Sequence, residues 1–284
     1  TGSFQILNSA NAYWQRIGNK PMMEIRIAGF MKELKLDAGF FSIHPVNIKE
    51  IKKADLIIIP AAAYDDDLIK ENAALITWIK EQYETGAEIA TICSGAFMLA
   101  ATGLLEGKSC STHWNLADNF KRLYPTVDLQ PDKLITDEHR IYTNGGAYSF
   151  LNLMIYLVEK YFDRQTAIFC IKAFQIEVDR NSQSVFAIFT GQKLHGDEMV
   201  EQAQAYIENN LNEKISIEYL ADKLAVGRRN FDRRFIKATG NTPVEYAQRV
   251  KIESAKKAFE TSRKNINEVM YDVGYSDVKA FREV

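Results

Sequence analysis

The sequence predicts an α/β domain built on a mostly parallel sheet, followed by an all-α domain with two helix-turn-helix motifs. Apolar strand-like runs alternate with helix-like segments through the first two thirds of the chain. Buried apolar strands that alternate with helices are typical of a parallel sheet covered on both faces. Beyond residue 196 only helical periodicity remains, and one helix–turn–helix pattern occurs twice.

Short apolar runs predict the strands of the first domain, which spans residues 1–180. We expect strands at residues 25–29, 40–43, 55–60, 87–92, 108–112 and 140–143. We expect helices at residues 4–15, 67–84, 96–105, 114–123 and 150–161. Because the chain has no initiator Met and starts within a helix, we also expect a longer protein with a strand before residue 1.

The segment of residues 181–196 combines Ser, Gln, Gly and His with little periodicity, which predicts a linker. The second domain, residues 197–284, then opens with a helix at residues 198–210. The chain stops at Val284, inside its last predicted helix. We therefore expect this domain to be truncated at its C-terminus.

The two helix-turn-helix copies have the same order of helix, turn and second helix. A short amphipathic helix, at residues 217–224 or 266–273, meets a turn that contains glycine. The second helix carries an aromatic residue near its start, Phe231 or Phe281. This geometry lays one helix across a DNA backbone and the next into the major groove. The motif therefore predicts double-stranded DNA as a partner.

Charge is distributed unevenly along the chain. Residues 223–284 contain fourteen Lys and Arg against eight Asp and Glu, although the whole chain has a net charge of −2. A basic end on an acidic chain is expected when one module binds phosphates. The alternative is a solvated basic helix face. DNA binding is favoured because the arginines coincide with the second helix of the first motif.

Composition argues against several other classes of protein. No apolar run approaches the roughly 20 residues of a membrane span, and no segment resembles a signal peptide. The three cysteines have no paired spacing, which suits a reducing cytoplasm. No spacing of His, Cys and Asp predicts a metal site, and we expect no cofactor.

The tail resembles the DNA-binding domain of AraC-type transcription regulators. The positions that carry the resemblance are Ala221, Leu224, Arg233, Arg234, Phe235, Gly240, Pro243, Tyr246, Ala255, Ile266, Val269, Gly274, Tyr275 and Phe281. Gly227 stands where this family usually has a serine N-cap. That departure should weaken the start of the helix by a few tenths of a kcal/mol.

The resemblance assigns roles to individual side chains of the tail. The side chains expected to face the major groove are Arg229, Asp232 and Arg233. Those expected to contact phosphates are Arg228 and Arg234. Their counterparts in the second motif are Lys279, Arg282 and Glu283. For Arg233 a structural alternative stays open, namely an ion pair with Asp232 or Glu245.

Cys93 directly follows the strand at residues 87–92 and precedes a helix, with Gly95 two residues further on. This order indicates a nucleophile elbow, because glycine permits a sharp turn and the helix start points at the sulfur. The positive end of the helix predicts a thiolate. His113 ends the next short strand, and adjacent parallel strands would bring it near Cys93.

Strand ends of a parallel sheet meet at one edge, where ligands bind. The sequence therefore predicts one cavity at this edge, lined by Cys93, His113, Ala62 and Gly145.

The first domain resembles the PfpI-like branch of the class I glutamine amidotransferase superfamily. The matching segments are residues 55–60, 92–105 (ICSGAFMLAATGLL), 111–114 (STHW) and 142–159. The resemblance implies a flavodoxin-like sandwich, and fusion of this domain to an AraC-type tail is a known regulator architecture.

Two functions are compatible with the Cys93 site. A cysteine-dependent PfpI-like hydrolase would use Cys93 and His113 as a dyad, whereas a regulator would bind an unknown small-molecule effector there. Ser94 replaces a His of the protease-like relatives, and residues 61–63 are alanines where catalytic relatives use oxyanion-hole glycines, although alanine amides could serve. A redox switch at Cys93 is a further alternative.

We therefore expect a cytoplasmic transcription regulator without enzyme activity. It is expected to form a homodimer through its α/β domain.

Overall fold

The computed structural model describes residues 2–36, 40–62, 66–177, 182–183, 186–189, 191–193, 195–213 and 215–282. The chain forms two compact units, Thr1–Ala187 and Ile188–Val284. We call them the α/β unit and the helical unit.

The α/β unit alternates strands and helices. Its strands are β1 Ala28–Gly29, β2 Leu34–Leu36, β3 Phe41–Ile43, β4 Val46–Asn47, β5 Leu56–Ile59, β6 Glu88–Ile92, β7 Ser109–Cys110, β8 Asp128–Leu129, β9 Ile135–Glu138 and β10 Ile141–Asn144. Its helices are α1 Gly2–Arg16, α2 Asp66–Glu71, α3 Ala73–Glu84, α4 Gly95–Ala101, α5 Ala117–Leu123, α6 Phe150–Tyr161 and α7 Arg164–Phe174.

A four-stranded sheet in the order β5-β6-β10-β9 forms the centre of the unit. β5, β6 and β10 are parallel, and β9 returns antiparallel beside β10. Alternate residues of β6 face opposite layers. Ala90 and Ile92 pack in the core shared with α1, α6 and α7, while Ile89 packs in the core shared with α3, α4 and α5. This arrangement is the predicted α/β sandwich.

Several elements differ from the sequence-based expectation. Within residues 25–29 only β1 forms, and it pairs with β4 rather than with the central sheet. β3 pairs with β2 in a hairpin. β7 pairs with β8, so the neighbour of β6 is β10 and not the strand expected at residues 108–112. β10 offers four residues in register with β6, whereas β7 has only two. The helix expected at residues 67–84 is interrupted at Asn72.

The helical unit contains the two predicted motifs. Its helices are α8 Glu198–Asn209, α9 Ile217–Lys223, α10 Arg228–Thr239, α11 Pro243–Thr261, α12 Ile266–Asp272 and α13 Val278–Arg282. Phe231 and Phe235 of α10 are buried in the first core, and Phe281 is buried in the second. The long helix α11 contributes Tyr246 to the first core and Ala255 to the second, so it connects the two motifs.

The turns of the two motifs differ in a way that the sequence did not indicate. In the second motif Gly274 adopts the left-handed conformation with φ 74°, as expected of a glycine-containing turn. In the first motif the corresponding left-handed residue is Ala225, with φ 49°. Gly227 instead has φ −64° and is the N-cap of α10, where no side chain caps the helix. By contrast, Ser216 caps α9 through its side chain.

Candidate functional site

Cys93 lies in a sharp turn between β6 and α4. Its φ is 55°, in the left-handed region that residues other than glycine rarely adopt. The turn holds α4 against the end of β5, because a Cβ on Gly95 would lie 2.7 Å from the backbone oxygens of Ile59 and Pro60. Only glycine fits at position 95. Strained backbone of this kind concentrates at functional sites.

The thiol of Cys93 is withdrawn from water, with 8% of the residue exposed. Burial raises the pKa of this thiol, and the hydrogen bond with the Ser94 backbone lowers it by less. The expectation that the start of α4 favours a thiolate is therefore wrong. Removing the sulfur from water disfavours its charge, and this effect exceeds that of the backbone hydrogen bond at the start of α4.

Ser94 fixes the loop that follows β5. Its buried hydroxyl donates a hydrogen bond to the carbonyl oxygen of Ala62 at 2.7 Å and accepts one from the amide of Ala62 at 3.1 Å. The amide of Ala62 is thus already paired. It cannot serve as an oxyanion-hole donor unless Ser94 moves away.

His113 is the N-cap of a short 3-10 helix, Trp114–Leu116. Its Nδ1 accepts a hydrogen bond from the amide of Asn115 at 3.1 Å, so the proton of the neutral ring resides on Nε2. Burial lowers the pKa of the imidazole. Both His113 and Cys93 are among the described residues, and no hydrogen bond joins the ring to the thiol.

Backbone contacts bring the predicted pocket residues to one edge of the sheet. The amide of Cys93 donates to the carbonyl of Asn144 at 3.0 Å, which places Gly145 one residue away. The hydroxyl of Thr112 donates to the carbonyl of Cys93 at 3.0 Å, which places His113 one residue away. The residues that precede His113 lie beside β10, because the amide of Ser111 donates a hydrogen bond to the hydroxyl of Thr143 at 2.6 Å.

Gln183 is a component of this edge that the sequence analysis missed. It belongs to the segment predicted as a linker, yet only 2% of the residue is exposed. Its side-chain amide donates to the carbonyl oxygens of Thr112 at 2.8 Å and Pro131 at 2.7 Å, and its oxygen accepts from the amide of Trp114 at 3.2 Å. The only sequence signal was the apolar run VFAIF that begins two residues later.

The first motif exposes two arginines of α10. Arg229 is exposed, and none of the described residues forms an ion pair or hydrogen bond with its guanidinium. Arg233 donates to the side-chain oxygen of Asn230 at 2.9 Å. The alternative partners of Arg233 are engaged elsewhere, because Asp232 pairs with Arg228 and Glu245 caps α11.

The two arginines assigned to phosphates are held in ion pairs. Arg228 bonds Asp232 one turn further along α10, with 2.9 Å between Nε and Oδ2, and it also bonds Glu218 of α9. Arg234 bonds Asp197 at 2.6 Å, and Asp197 is the N-cap of α8. These pairs orient α10 on its neighbours. Each carboxylate would have to be released before a phosphate could take its place.

The second motif presents Lys279 and Arg282 on α13, and both are exposed. Asp277 caps this helix by accepting hydrogen bonds from the amides of Lys279 and Ala280, at 2.7 and 2.9 Å. Glu283 lies outside the residues that the structure describes.

Neither a metal site nor a membrane span is found in the described part of the chain. No group of three His, Cys, Asp or Glu side chains there could hold a metal ion. No helix there is both long and apolar enough to cross a membrane.

Comparison with known families covers both units. Residues 24–160 match the DJ-1/PfpI family, and residues 220–284 match a helix-turn-helix domain. The chain belongs to the AraC-type regulators that carry a DJ-1/PfpI domain. The helix-turn-helix match begins within α9 and includes both motifs of this AraC-type chain.

Curated relatives include both regulators and an enzyme. The HTH-type transcriptional regulator GbdR of Pseudomonas aeruginosa is 25% identical over 207 residues, which are 72% of this chain and 56% of that protein. This AraC-type chain thus spans little more than half of that regulator's length. Isonitrile hydratase of Pseudomonas putida is 29% identical over 115 residues, which are 40% of this chain and 48% of the enzyme.

A solved structure supports the fold of the α/β unit. A crystallised candidate transcriptional regulator from Vibrio parahaemolyticus superposes with a TM-score of 0.54 at 24% identity, over 61% of this chain and 89% of that one. At this level of identity the likeness shows the fold alone.

Proposed function

We propose that this protein is a sequence-specific, DNA-binding transcription regulator of the cytoplasm. The observation that carries the proposal is Arg229, which is exposed on the second helix of a helix-turn-helix motif and has no partner among the described residues. An arginine in this position can donate two hydrogen bonds to one guanine, the commonest specific contact in the major groove. The likeness to named HTH-type regulators supports the same function.

The surface that we assign to DNA comprises Arg228, Arg229, Asp232, Arg233, Arg234, Lys279, Arg282 and Glu283. Within it, Arg228 and Arg234 leave surface ion pairs to reach phosphates. Pairs of this kind contribute little to stability, so their exchange for a phosphate costs little.

Selection from random DNA tests the proposal without knowledge of the operator. The full chain is used to enrich binding duplexes, and its affinity for the enriched sequence is compared with that for a scrambled duplex at one fixed salt concentration. We expect one sequence to be enriched and bound at least about 10³-fold more tightly. Recovery of no preferred sequence would refute sequence-specific binding.

We propose that the α/β unit binds a small-molecule effector without catalysis. The site is the sheet edge formed by Cys93, His113, Ala62 and Gly145. Three observations on the described residues support a binding role: burial raises the pKa of the Cys93 thiol, no hydrogen bond joins the ring of His113 to this thiol, and Ser94 already bonds the amide of Ala62. A hydrolase needs an activated nucleophile and a free oxyanion donor.

The alternative is a cysteine-dependent hydrolase fused to a DNA-binding tail, and the likeness to isonitrile hydratase is the observation that favours it. Purified protein is assayed for thiol-dependent amidase and protease activity, for consumption of glyoxal and for hydration of an isonitrile. We expect no turnover above that of Cys93→Ala. Clear turnover that this substitution abolishes would establish the alternative.

We further propose that two chains associate through the α/β unit. The support is functional, since a regulator with one short tail gains affinity when a second tail is linked to it. Sedimentation of the full chain measures the mass directly, and a monomer at micromolar concentration would refute the proposal.

A further inference from the structure

We propose that the edge beside Cys93 contains a binding site for a primary carboxamide, and that Gln183 fills this site from within the chain. We call the site the carboxamide cradle; it consists of Thr112, Trp114, Pro131 and Gly145. A regulatory role of the carboxamide cradle rests on the proposed sensing function of the α/β unit, whereas the existence of the cradle does not.

The hydrogen bonds of Gln183 match the groups that a primary carboxamide offers. The nitrogen of such an amide carries two donors, and here it bonds the carbonyl oxygens of Thr112 and Pro131 at 2.8 and 2.7 Å. The amide oxygen accepts from the backbone of Trp114 at 3.2 Å. A carboxylate would place negative oxygen against two carbonyl oxygens without a proton between them. The cradle therefore selects an amide over an acid.

The shape of the cradle depends on Gly145. A Cβ at this position would overlap the amide nitrogen of Gln183 and lie 2.6 Å from its side-chain carbonyl carbon. It would also lie 2.7 Å from the hydroxyl of Ser111. The absence of a side chain at position 145 thus leaves the space that the flat amide group occupies.

The cradle is directly connected to the predicted effector site. Gln183 bonds the backbones of Thr112 and Trp114, which are the two neighbours of His113. Thr112 in turn donates its hydroxyl proton to the carbonyl of Cys93. An effector that displaces residues 112–114 would therefore release Gln183. Gln183 lies near the start of the 181–196 segment, which enters the helical unit at Ile188, so this release frees the start of that segment.

A second set of contacts fixes the same residue. The backbone amide of Gln183 donates to the carbonyl of Asp132 at 3.0 Å, and Ser182 forms a β-bridge with Lys133. The segment is thus attached to residues 131–133 by its backbone and to residues 112–114 by its amide. Loss of the amide alone leaves the backbone attachment, so the effect of removing it is measurable in an otherwise folded chain.

The test uses the full chain, with neither DNA nor effector present. Gln183→Ala empties the cradle and leaves buried backbone groups unpaired. We expect the midpoint of thermal unfolding of the α/β unit to fall by about 2–4 °C. We also expect chymotrypsin to cleave the 181–196 segment roughly fivefold faster. Gln183→Glu, which keeps the size but removes both amide donors, should show the same two changes.

Chemical rescue then identifies the ligand class. Propionamide should restore the melting midpoint and the slow cleavage of Gln183→Ala, whereas propionate at the same concentration and ionic strength should not. The matched control is Gln15→Ala, because Gln15 is an exposed glutamine on α1. That variant should melt like the parent protein and not respond to propionamide.

Two results would overturn the carboxamide cradle. One is a Gln183→Ala variant that melts and is cleaved like the parent. The other is equal rescue by propionate and propionamide. Neither result bears on DNA binding, and a failure of DNA binding would leave the rescue experiment unaffected.

Discussion

The sulfur of Cys93 is buried, and its reactivity should follow from that burial. We predict that iodoacetamide alkylates Cys93 more slowly than a free cysteine at neutral pH, because the raised pKa leaves less thiolate. The rate should keep rising above pH about 8.5, the usual pKa of a thiol. Mass spectrometry of the labelled peptide gives the pH–rate profile.

Cys110 provides the internal control for this experiment. Burial raises the pKa of its thiol to about 12, so it should be labelled only after unfolding. A rate profile of Cys93 with its midpoint below pH 8.5 would contradict the prediction and would favour an activated nucleophile.

Arg229 and Arg228 are adjacent in sequence but should act differently on DNA. Arg229 is exposed and has no partner in the part of the chain that the structure describes, so we predict that Arg229→Ala loses about 1–3 kcal/mol of discrimination at one base pair. Arg228→Ala should weaken binding to all sequences alike and reduce the salt dependence by about one phosphate contact. Fluorescence anisotropy on enriched and scrambled duplexes at several salt concentrations separates the two effects.

Arg26, an exposed arginine of the α/β unit, offers the control substitution for both variants. If Arg229→Ala loses equal affinity for enriched and for scrambled DNA, Arg229 does not contact a base. An unchanged salt dependence for Arg228→Ala would mean that this residue only orients α10 through Glu218 and Asp232.

The turns of the two motifs each contain one left-handed residue, so substitutions at these two positions can be compared directly. Ala225 holds a left-handed conformation that disfavours a Cβ, so we predict that Ala225→Gly stabilises the helical unit by about 0.5–1 kcal/mol. Gly274→Ala should destabilise it, since the added Cβ would lie 2.8 Å from the carbonyl oxygen of Leu211. Urea unfolding monitored by circular dichroism measures both changes. A loss of stability in Ala225→Gly would contradict the energetic cost assigned to the left-handed conformation of Ala225.

The stability contributed by the ion pair between α8 and α10 should depend on pH. Arg234 lowers the pKa of Asp197, so the stability gained from the charged carboxylate is fully present above its ordinary pKa of about 4. This stability is lost as the pH falls through the lowered value. We predict that Asp197→Asn is less stable than the parent at pH 7 and equally stable in acid.

Asp197→Ala also removes the N-cap of α8 and should cost about 1 kcal/mol more than Asp197→Asn. Thermal unfolding across the acidic range gives the comparison, with Asp67→Asn as the exposed control. A constant difference between Asp197→Asn and the parent at every pH would show that the ion pair contributes nothing.

Local sequence patterns predicted which helices and strands form better than they predicted which strands pair with each other. Alternating apolar runs correctly indicated an α/β sandwich, and helical periodicity correctly indicated both motifs. The pairing of β7 with β8 could not be predicted, because the order of strands in a sheet depends on contacts between distant residues. Gln183 was missed for the same reason, since its partners lie about 50–70 residues earlier in the chain. The left-handed turn at Ala225 was missed because alanine gives no signal for it.

For the whole molecule, the proposed function requires that the α/β unit increase the affinity for DNA by joining two chains. A single tail with short helices should bind weakly, and two motifs on one tail should engage successive major grooves about 34 Å apart. A dimer would present two tails to a duplex with two sites. Effective concentration should then increase the affinity by a factor on the order of 10²–10⁴ over that for one site.

The most direct test of this account is the affinity of the full chain for three duplexes that carry two, one or no copies of the enriched sequence. All three are measured by anisotropy at the same salt concentration. The account predicts that the one-site duplex binds at least about 10³-fold more tightly than the scrambled one. It predicts a further gain of at least about 10²-fold for the two-site duplex. Equal affinity for all three duplexes would contradict sequence-specific recognition by a dimer.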